Sequence, residues 1–166
     1  RVHVIGLLSD GGTHGHIEHI LSSAEYASSE SREVFIHAIG DGRDVASDSA
    51  AEYCDYFIKR KKDKNLDNVK IATMCGRYYA MDRDSRWERT EQAFNAIAYG
   101  DGVAVNNILS AIKTEYDKGI TDEFIKPIIL NNYKGIEANG SILIANFRSD
   151  RARQISSVFF DNGFTG

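Results

Sequence analysis

The chain has 166 residues, of which 42% are hydrophobic and 27% charged, with a formal net charge of −4. That is the length of one domain, and such a chain buries roughly 70% of its unfolded surface, so no disulfide or metal staple is needed. The acidic balance argues against a nucleic-acid partner held by bulk electrostatics, and neither a membrane-spanning run nor the layout of a signal peptide is visible.

Residues 2–8 are almost wholly apolar, as in a strand covered on both faces. Ser9-Asp-Gly-Gly-Thr-His-Gly15 is a turn rich in Gly and capping residues. A helix is expected over residues 16–29, where Ile17, Ile20, Leu21, Ala24 and Ala27 keep the helical period. Residues 33–39 form the second strand. The loop from Gly40 to Val45 follows, then a helix capped by Ser47 or Asp48 and running to Lys62.

The third strand is 69–74. After it, Gly76 lets the backbone turn, and a dense run of Arg, Tyr and Asp begins. A helix over 85–99 buries Ala93, Phe94 and Ile97, and Gly100-Asp-Gly102 breaks it. Asn106 or Asn107 caps a further helix to Lys118, with Gly119 suited to the C′ position. Residues 128–130 and 141–147 read as strands, and a last helix carries Ile155, Val158 and Phe159. Strands alternating with helices predict a three-layer α/β/α domain with a mostly parallel central sheet, a single domain over residues 1–166.

In such a sheet four loops meet at the carboxyl ends of the strands: 9–16, 40–45, 76–83 and 148–151. They hold Asp10, His14, His16, Asp41, Arg43, Asp44, Arg77, Arg83, Arg148 and Arg151, a basic excess within an acidic chain. Arg77, Arg83, Arg86 and Arg89 fall within thirteen residues. Two like charges about 7 Å apart repel by roughly 2 kcal/mol at an effective dielectric near 20, so something must offset them. Asp82, Asp84 and Glu88 do part of it. A bound anion suits the rest, because the Arg fork matches carboxylate and phosphate. For Arg86 and Arg89 a salt-bridged helix start is the plainer alternative.

Arg148-Ser-Asp-Arg151 puts two guanidiniums where they can grip one phosphate, unless Asp150 and one Arg simply pair on the surface. His14 suits a role in holding a substrate oxygen or moving a proton. Asp44 suits a general base, an orienter of a hydroxyl, or a helix cap. His3 and His37 lie in strands and read as satisfied core groups. Cys54 and Cys75 lack metal-site spacing and read as reduced thiols of a cytoplasmic protein. These residues describe a phosphosugar or phosphoacid site with no evident nucleophile.

Ser9-Asp-Gly-Gly-Thr-His-Gly-His16, Asp41-Gly-Arg-Asp44, Gly76-Arg-Tyr-Tyr-Ala-Met-Asp-Arg-Asp84, Tyr99-Gly100 and Asn146-Phe-Arg-Ser-Asp-Arg151 closely resemble cofactor-independent (2,3-bisphosphoglycerate-independent) phosphoglycerate mutase. The resemblance covers the whole chain in order. It implies an isomerase of glycolysis and gluconeogenesis that interconverts 3-phosphoglycerate and 2-phosphoglycerate through a phosphoserine. Members of that family carry two manganese ions and the nucleophilic Ser on a phosphatase-like domain, into which a transferase domain is inserted. This chain resembles the inserted domain alone. Its first strand begins at once and Gly163-Phe-Thr-Gly166 follows the last helix, so an excised piece is expected, without cofactor or metal of its own and inactive by itself.

By the same resemblance His14 contacts the substrate, and Arg43 and Asp44 hold the glycerate hydroxyls, with Asp44 moving a proton. Arg77 and Arg83 bind the carboxylate end, and Arg148 and Arg151 grip the phosphoryl group. The partners implied are 2- or 3-phosphoglycerate and the missing phosphatase-like domain, with no nucleic acid and no membrane, in a monomer. Two departures stand out: Ser149 where the family pattern has Pro, and Gly15 where Ser is usual. Two rival readings are a metal-dependent phosphoester hydrolase using Asp10, His14 and His16, and an arginine/aromatic nucleic-acid-binding module using Arg77 to Arg89 with Tyr78, Tyr79 and Trp87.

Overall fold

The computed structural model describes residues 1–31 and 33–160; the segment 163–166 discussed above lies outside them. Six strands form one sheet: β1 (Val2–Leu7), β2 (Val34–Gly40), β3 (Val69–Gly76), β4 (Val103–Val105), β5 (Ile128–Leu130) and β6 (Ser141–Ile144), in the order β4-β5-β3-β2-β1-β6. β1 pairs in parallel with both β2 and β6, and β2 with β3. β5 runs antiparallel to β3, with β4 parallel to β5. The sheet is thus mostly parallel, with the exception at one side.

Alternation along each strand sends side chains to two layers. Val4, Val34, Ile36, Val69 and Ile71 pack with α1 (Ile17–Glu30), α2 (Ala50–Asp63) and α5 (Ile108–Asp117). Ile5, Leu7, Ile39 and Cys75 pack on the other side with α3 (Arg77–Ala80), α4 (Trp87–Tyr99) and α6 (Arg153–Phe160). Gly6 faces α1 so closely that a Cβ there would lie 2.9 Å from Ile20 Cδ1. This is the three-layer α/β/α arrangement that the alternation of elements predicts.

The boundaries differ from expectation in a few places. β6 ends at Ile144, because Asn146 turns its side chain inward to accept from the Leu7 N–H at 2.9 Å. Ser47 and Asp48 do not cap α2. Ser49 holds the cap position, and the free N–H groups of Ser49 and Ala50 instead donate to the Asp122 carboxylate at 2.9 and 2.8 Å. Asp122 lies in a 3-10 turn, Asp122–Phe124, and also accepts from the Tyr116 hydroxyl. Asn107 does cap α5, accepting from Ser110 N at 3.0 Å, and Gly119 takes a positive φ of 78° after it. Sequence patterning predicts neither β4 nor the single-turn helix α3: the first is three residues, two of them exposed, after a Gly-Asp-Gly break, and the second follows Gly76 directly.

A polar cluster lies inside the sheet. His3 Nδ1 and His37 Nε2 meet at 3.0 Å, His37 Nδ1 meets Thr73 Oγ1 at 2.9 Å, and the Tyr133 hydroxyl reaches His3 Nδ1 and the Ile97 carbonyl. His3 also stacks on Phe35. These histidines are core groups, although His3 Nε2 accepts or donates no hydrogen bond among the described residues.

Candidate functional site

The four loops do converge at the carboxyl ends of β1, β2, β3 and β6, and Asp41 ties three of them together. Its carboxylate is 2% exposed and accepts from Ser9 Oγ at 2.6 Å, from the N–H groups of Arg43 and Asp44 at 3.3 and 3.1 Å, and from Arg77 Nη1 at 2.6 Å. Burial alone would raise its pKa. The donors from Ser9, the Asp44 backbone and Arg77 reverse that and hold it below the usual carboxylate range.

Arg77 is 5% exposed and shares Nη1 between Asp41 and Asp44, the second at 2.7 Å. Burial opposes its charge, but its hydrogen bonds to Asp44 and Asp41 outweigh that and raise its pKa. Asp44 keeps a side chain 23% exposed, on the open side of this triad. His14 is buried beside it, with Nε2 3.8 Å from Asp44 Oδ2 and Nδ1 without a hydrogen bond among the described residues. Burial and the nearby Arg77 charge lower the His14 pKa, which favours the neutral ring. The His14 carbonyl accepts from Phe147 N at 2.9 Å, which fastens the first loop to the last.

The basic half of the site lies across from this triad. Arg83 Nη1 donates to Asp150 Oδ2 at 2.7 Å, and Arg148 Nε lies 2.8 Å from Asp150 Oδ1. Arg151 donates to the Met81 carbonyl at 3.1 Å and has no carboxylate partner among the described residues. Burial, then Arg83 and Arg77, lower its pKa. Two guanidiniums therefore share the Asp150 carboxylate, and a third stands near it without an acid partner among the described residues. Arg43 is exposed and pairs with Glu123 at 3.5 Å.

Six of the seven residues expected at the site fall into two groups, and the Arg43 side chain turns to Glu123. Arg77 joins Asp41, Asp44 and His14, whereas Arg83 joins Arg148 and Arg151 around Asp150. Arg86 and Arg89 do not belong to either. Arg86 pairs with Asp82 and Asp84, and Arg89 lies 3.8 Å from the Tyr78 ring centre, so both serve the start of α4. Sequence reasoning assigns no role to Asp41 and does not single out Ser9, Asn146 or Glu123. Ser9, Asp41 and Asn146 stand inside the quoted motifs. Glu123 had no local signal, since it comes from a turn far along the chain.

Gly15 is explained by Asn146. A Cβ at Gly15 would lie 2.6 Å from Asn146 Oδ1, which is the atom that receives the Leu7 N–H. A metal site does not form from Asp10, His14 and His16. Tyr53 donates to Asp10, His16 Nδ1 accepts from Glu18 N as the cap of α1, and His14 stands beside Asp44. Among the described residues no three His, Cys, Asp or Glu side chains are grouped as ligands.

Residues 1–166 match the family described as BPG-independent PGAM N-terminus. The 2,3-bisphosphoglycerate-independent phosphoglycerate mutase of Aliarcobacter butzleri is 48% identical over 159 residues, covering 96% of this chain and 32% of that protein. The enzyme of the same name from Wolinella succinogenes is 47% identical over 166 residues, covering 100% of this chain and 33% of that protein. A crystal structure of Leishmania mexicana phosphoglycerate mutase, determined at low cobalt concentration, superposes with a TM-score of 0.89 at 34% identity, covering 98% of this chain and 32% of that one. The chain spans about a third of the length of these relatives. By a family match along its whole length, the chain belongs to the N-terminal family of BPG-independent phosphoglycerate mutases.

Proposed function

We propose that this chain is the substrate-binding domain of a phosphoglycerate mutase and holds 2- or 3-phosphoglycerate between the two halves of the site. The observation that carries this reading is the charge imbalance at the last loop. Arg83, Arg148 and Arg151 stand around the single carboxylate of Asp150, and Arg151 has no acid of its own. A ligand with two or three negative charges offsets that excess, and each charge-assisted hydrogen bond to it contributes about 1.5–3 kcal/mol.

In this reading Arg148 and Arg151 grip the phosphoryl group and Arg83 the carboxylate, with Arg77 the second carboxylate donor. Arg43 and Asp44 hold the glycerate hydroxyls, and His14 lies against the same end. When a glycerate hydroxyl attacks the phosphorus of a phosphoserine, the new O–P bond forms as the serine Oγ–P bond breaks; the hydroxyl proton passes to Asp44, and the serine oxygen leaves as an alkoxide that takes a proton within the further domain. The chain contributes orientation and electrostatic stabilisation, and the phosphoserine belongs to sequence outside these residues.

The relatives' greater length supports a further domain in the same polypeptide. The two manganese ions expected for the whole enzyme do not fit the residues here, because Asp41 and Asp44 already share Arg77 and no other ligand group forms among the described residues. We assign the metal, like the Ser, to that further domain. The whole enzyme is read as a cytoplasmic monomer of glycolysis and gluconeogenesis.

A nucleic-acid role is less well supported. Arg77 and Tyr79 are buried, so the arginine and aromatic stretch is not displayed as one surface.

Titration with 3-phosphoglycerate followed by amide NMR tests the proposal. Shifts are expected at His14, Asp44, Arg77, Arg83 and Arg148, with no mutase turnover by this chain alone. Shifts elsewhere with these five unmoved, or turnover above background, overturn it.

A further inference from the structure

Asp150 holds the position that an anionic ligand needs. Its two oxygens face guanidiniums from two different loops, Arg83 at 2.7 Å and Arg148 at 2.8 Å, as the two oxygens of a bound carboxylate would. The fit is imperfect. The Arg148 contact is not aligned as a hydrogen bond, and Oδ1 is buried without one. The adjoining Arg151 has no carboxylate partner among the described residues.

We infer that Asp150 is an internal competitor that occupies the anion subsite when it is empty and favours free ligands carrying more charge than one carboxylate. The inference rests on the reading of the site as one for phosphoglycerate.

The argument is a comparison of charge and tethering. A free monoanion offers Arg83 and Arg148 what Asp150 already gives them. It also loses translational freedom on binding, a cost of several kcal/mol that a tethered side chain has already met. A phosphate monoester brings nearly a second charge and three acceptor oxygens, enough to reach Arg151 as well. Asp150 can leave without being buried elsewhere, since its side chain is 33% exposed. Burial raises its pKa, but Arg83 and Arg148 more than reverse this and favour its charged form. While the site is empty, it also screens the three cations from each other. Asp150 thereby helps the site to prefer a phosphorylated acid over the same acid without phosphate.

The test compares D-glycerate with 3-phosphoglycerate on this chain and its Asp150→Asn variant by calorimetry or NMR titration. In the wild type, glycerate should bind at least about a hundredfold more weakly, a gap of roughly 2.7 kcal/mol. In Asp150→Asn glycerate should gain about tenfold or more and the gap should narrow. Asp150→Ser, which cannot bridge the two guanidiniums, should do the same and covers the case in which the Asn variant misfolds. An unchanged ratio, or equal weakening of both ligands, overturns the inference and makes Asp150 a scaffold. If the wild type binds neither ligand, the phosphoglycerate reading itself fails and takes the inference with it.

Discussion

Asp41 and Arg77, thirty-six residues apart, meet at 2.6 Å with almost no exposed surface between them. Each helps offset the other's loss of water, together with Asp44 at Arg77 and with Ser9 and the Asp44 N–H at Asp41. Removing one partner of a buried pair leaves an uncompensated charge and costs about 3–5 kcal/mol. Asp41→Ala should therefore lower unfolding stability by about that much in denaturant titrations, since it also frees Ser9 and the N–H groups of Arg43 and Asp44. Loss of less than about 1 kcal/mol, the scale of an exposed pair, would show that the cluster is open to water.

Gly76 marks a second point at which the site and the fold depend on each other. A Cβ there would lie 2.0 Å from the Glu123 carbonyl and 2.5 Å from that of Asp122, both backbone atoms. Gly76 N also donates to the Ile125 carbonyl at 2.8 Å. Gly76→Ala must push the 3-10 turn away, and that turn carries the acid that caps α2 and the one that pairs with Arg43. A loss of about 3 kcal/mol, at the upper end of overpacking costs, is expected by thermal or chemical unfolding. The Arg43 amide should shift in the same variant.

Much of this arrangement is legible in the sequence because local rules and tertiary packing agree. The apolar runs of β1, β2 and β3 and the periodic faces of α1 and α5 define the layers, and the Gly-rich turns between them fix where the polar loops emerge. The legible part of the site is its cast of residues. Their pairing is not legible, because it is set by contacts between distant loops. Arg77 precedes Arg83 by six positions, yet it turns into the buried triad while Arg83 reaches Asp150. The parts missed are those that the chain supplies from afar. Asp122 caps a helix more than seventy residues earlier, where Ser47 and Asp48 fit the local rule equally well. Glu123 meets Arg43 by the same route. Single-turn α3 and three-residue β4 are too short to show any periodicity.

The buried histidines make stability depend on pH above the range where carboxylates titrate. His3 has its pKa lowered to about 4 by burial and by the N-terminal and Arg1 charges, and burial beside His3 lowers that of His37 well below the ordinary value. The folded state refuses protons that the unfolded chain accepts below pH 6.5. Stability is thus complete above that point and falls as pH drops toward 4. For His3 the gap between 6.5 and about 4 corresponds to roughly 3 kcal/mol. His37 and His14 add in the same direction. Asp41 has its pKa lowered instead, so its contribution is lost only below the ordinary carboxylate range. Denaturant titrations from pH 7 to 4.5 should show the loss, and His3→Gln should flatten it. A wild-type curve that is level across this range rules the assignment out.

Arg151 separates binding from stability most clearly. It has one hydrogen bond, to the Met81 carbonyl, no carboxylate partner among the described residues, and the charges of Arg83 and Arg77 acting against it. A cation so placed adds little to folding, and its removal relieves repulsion. Arg151→Ala should therefore leave unfolding stability within about 1 kcal/mol of the wild type, or raise it. The same change removes the guanidinium with the greatest unmet demand for an anion. Affinity for 3-phosphoglycerate should fall by about tenfold to a hundredfold, the equivalent of one charge-assisted hydrogen bond. Arg86→Ala is the matched control, because that side chain serves Asp82 and Asp84 at the start of α4 and should not change affinity. Equal affinity losses in the two variants would mean that ligand binding follows general positive charge. Loss confined to Arg151 places the phosphoryl group at the last loop.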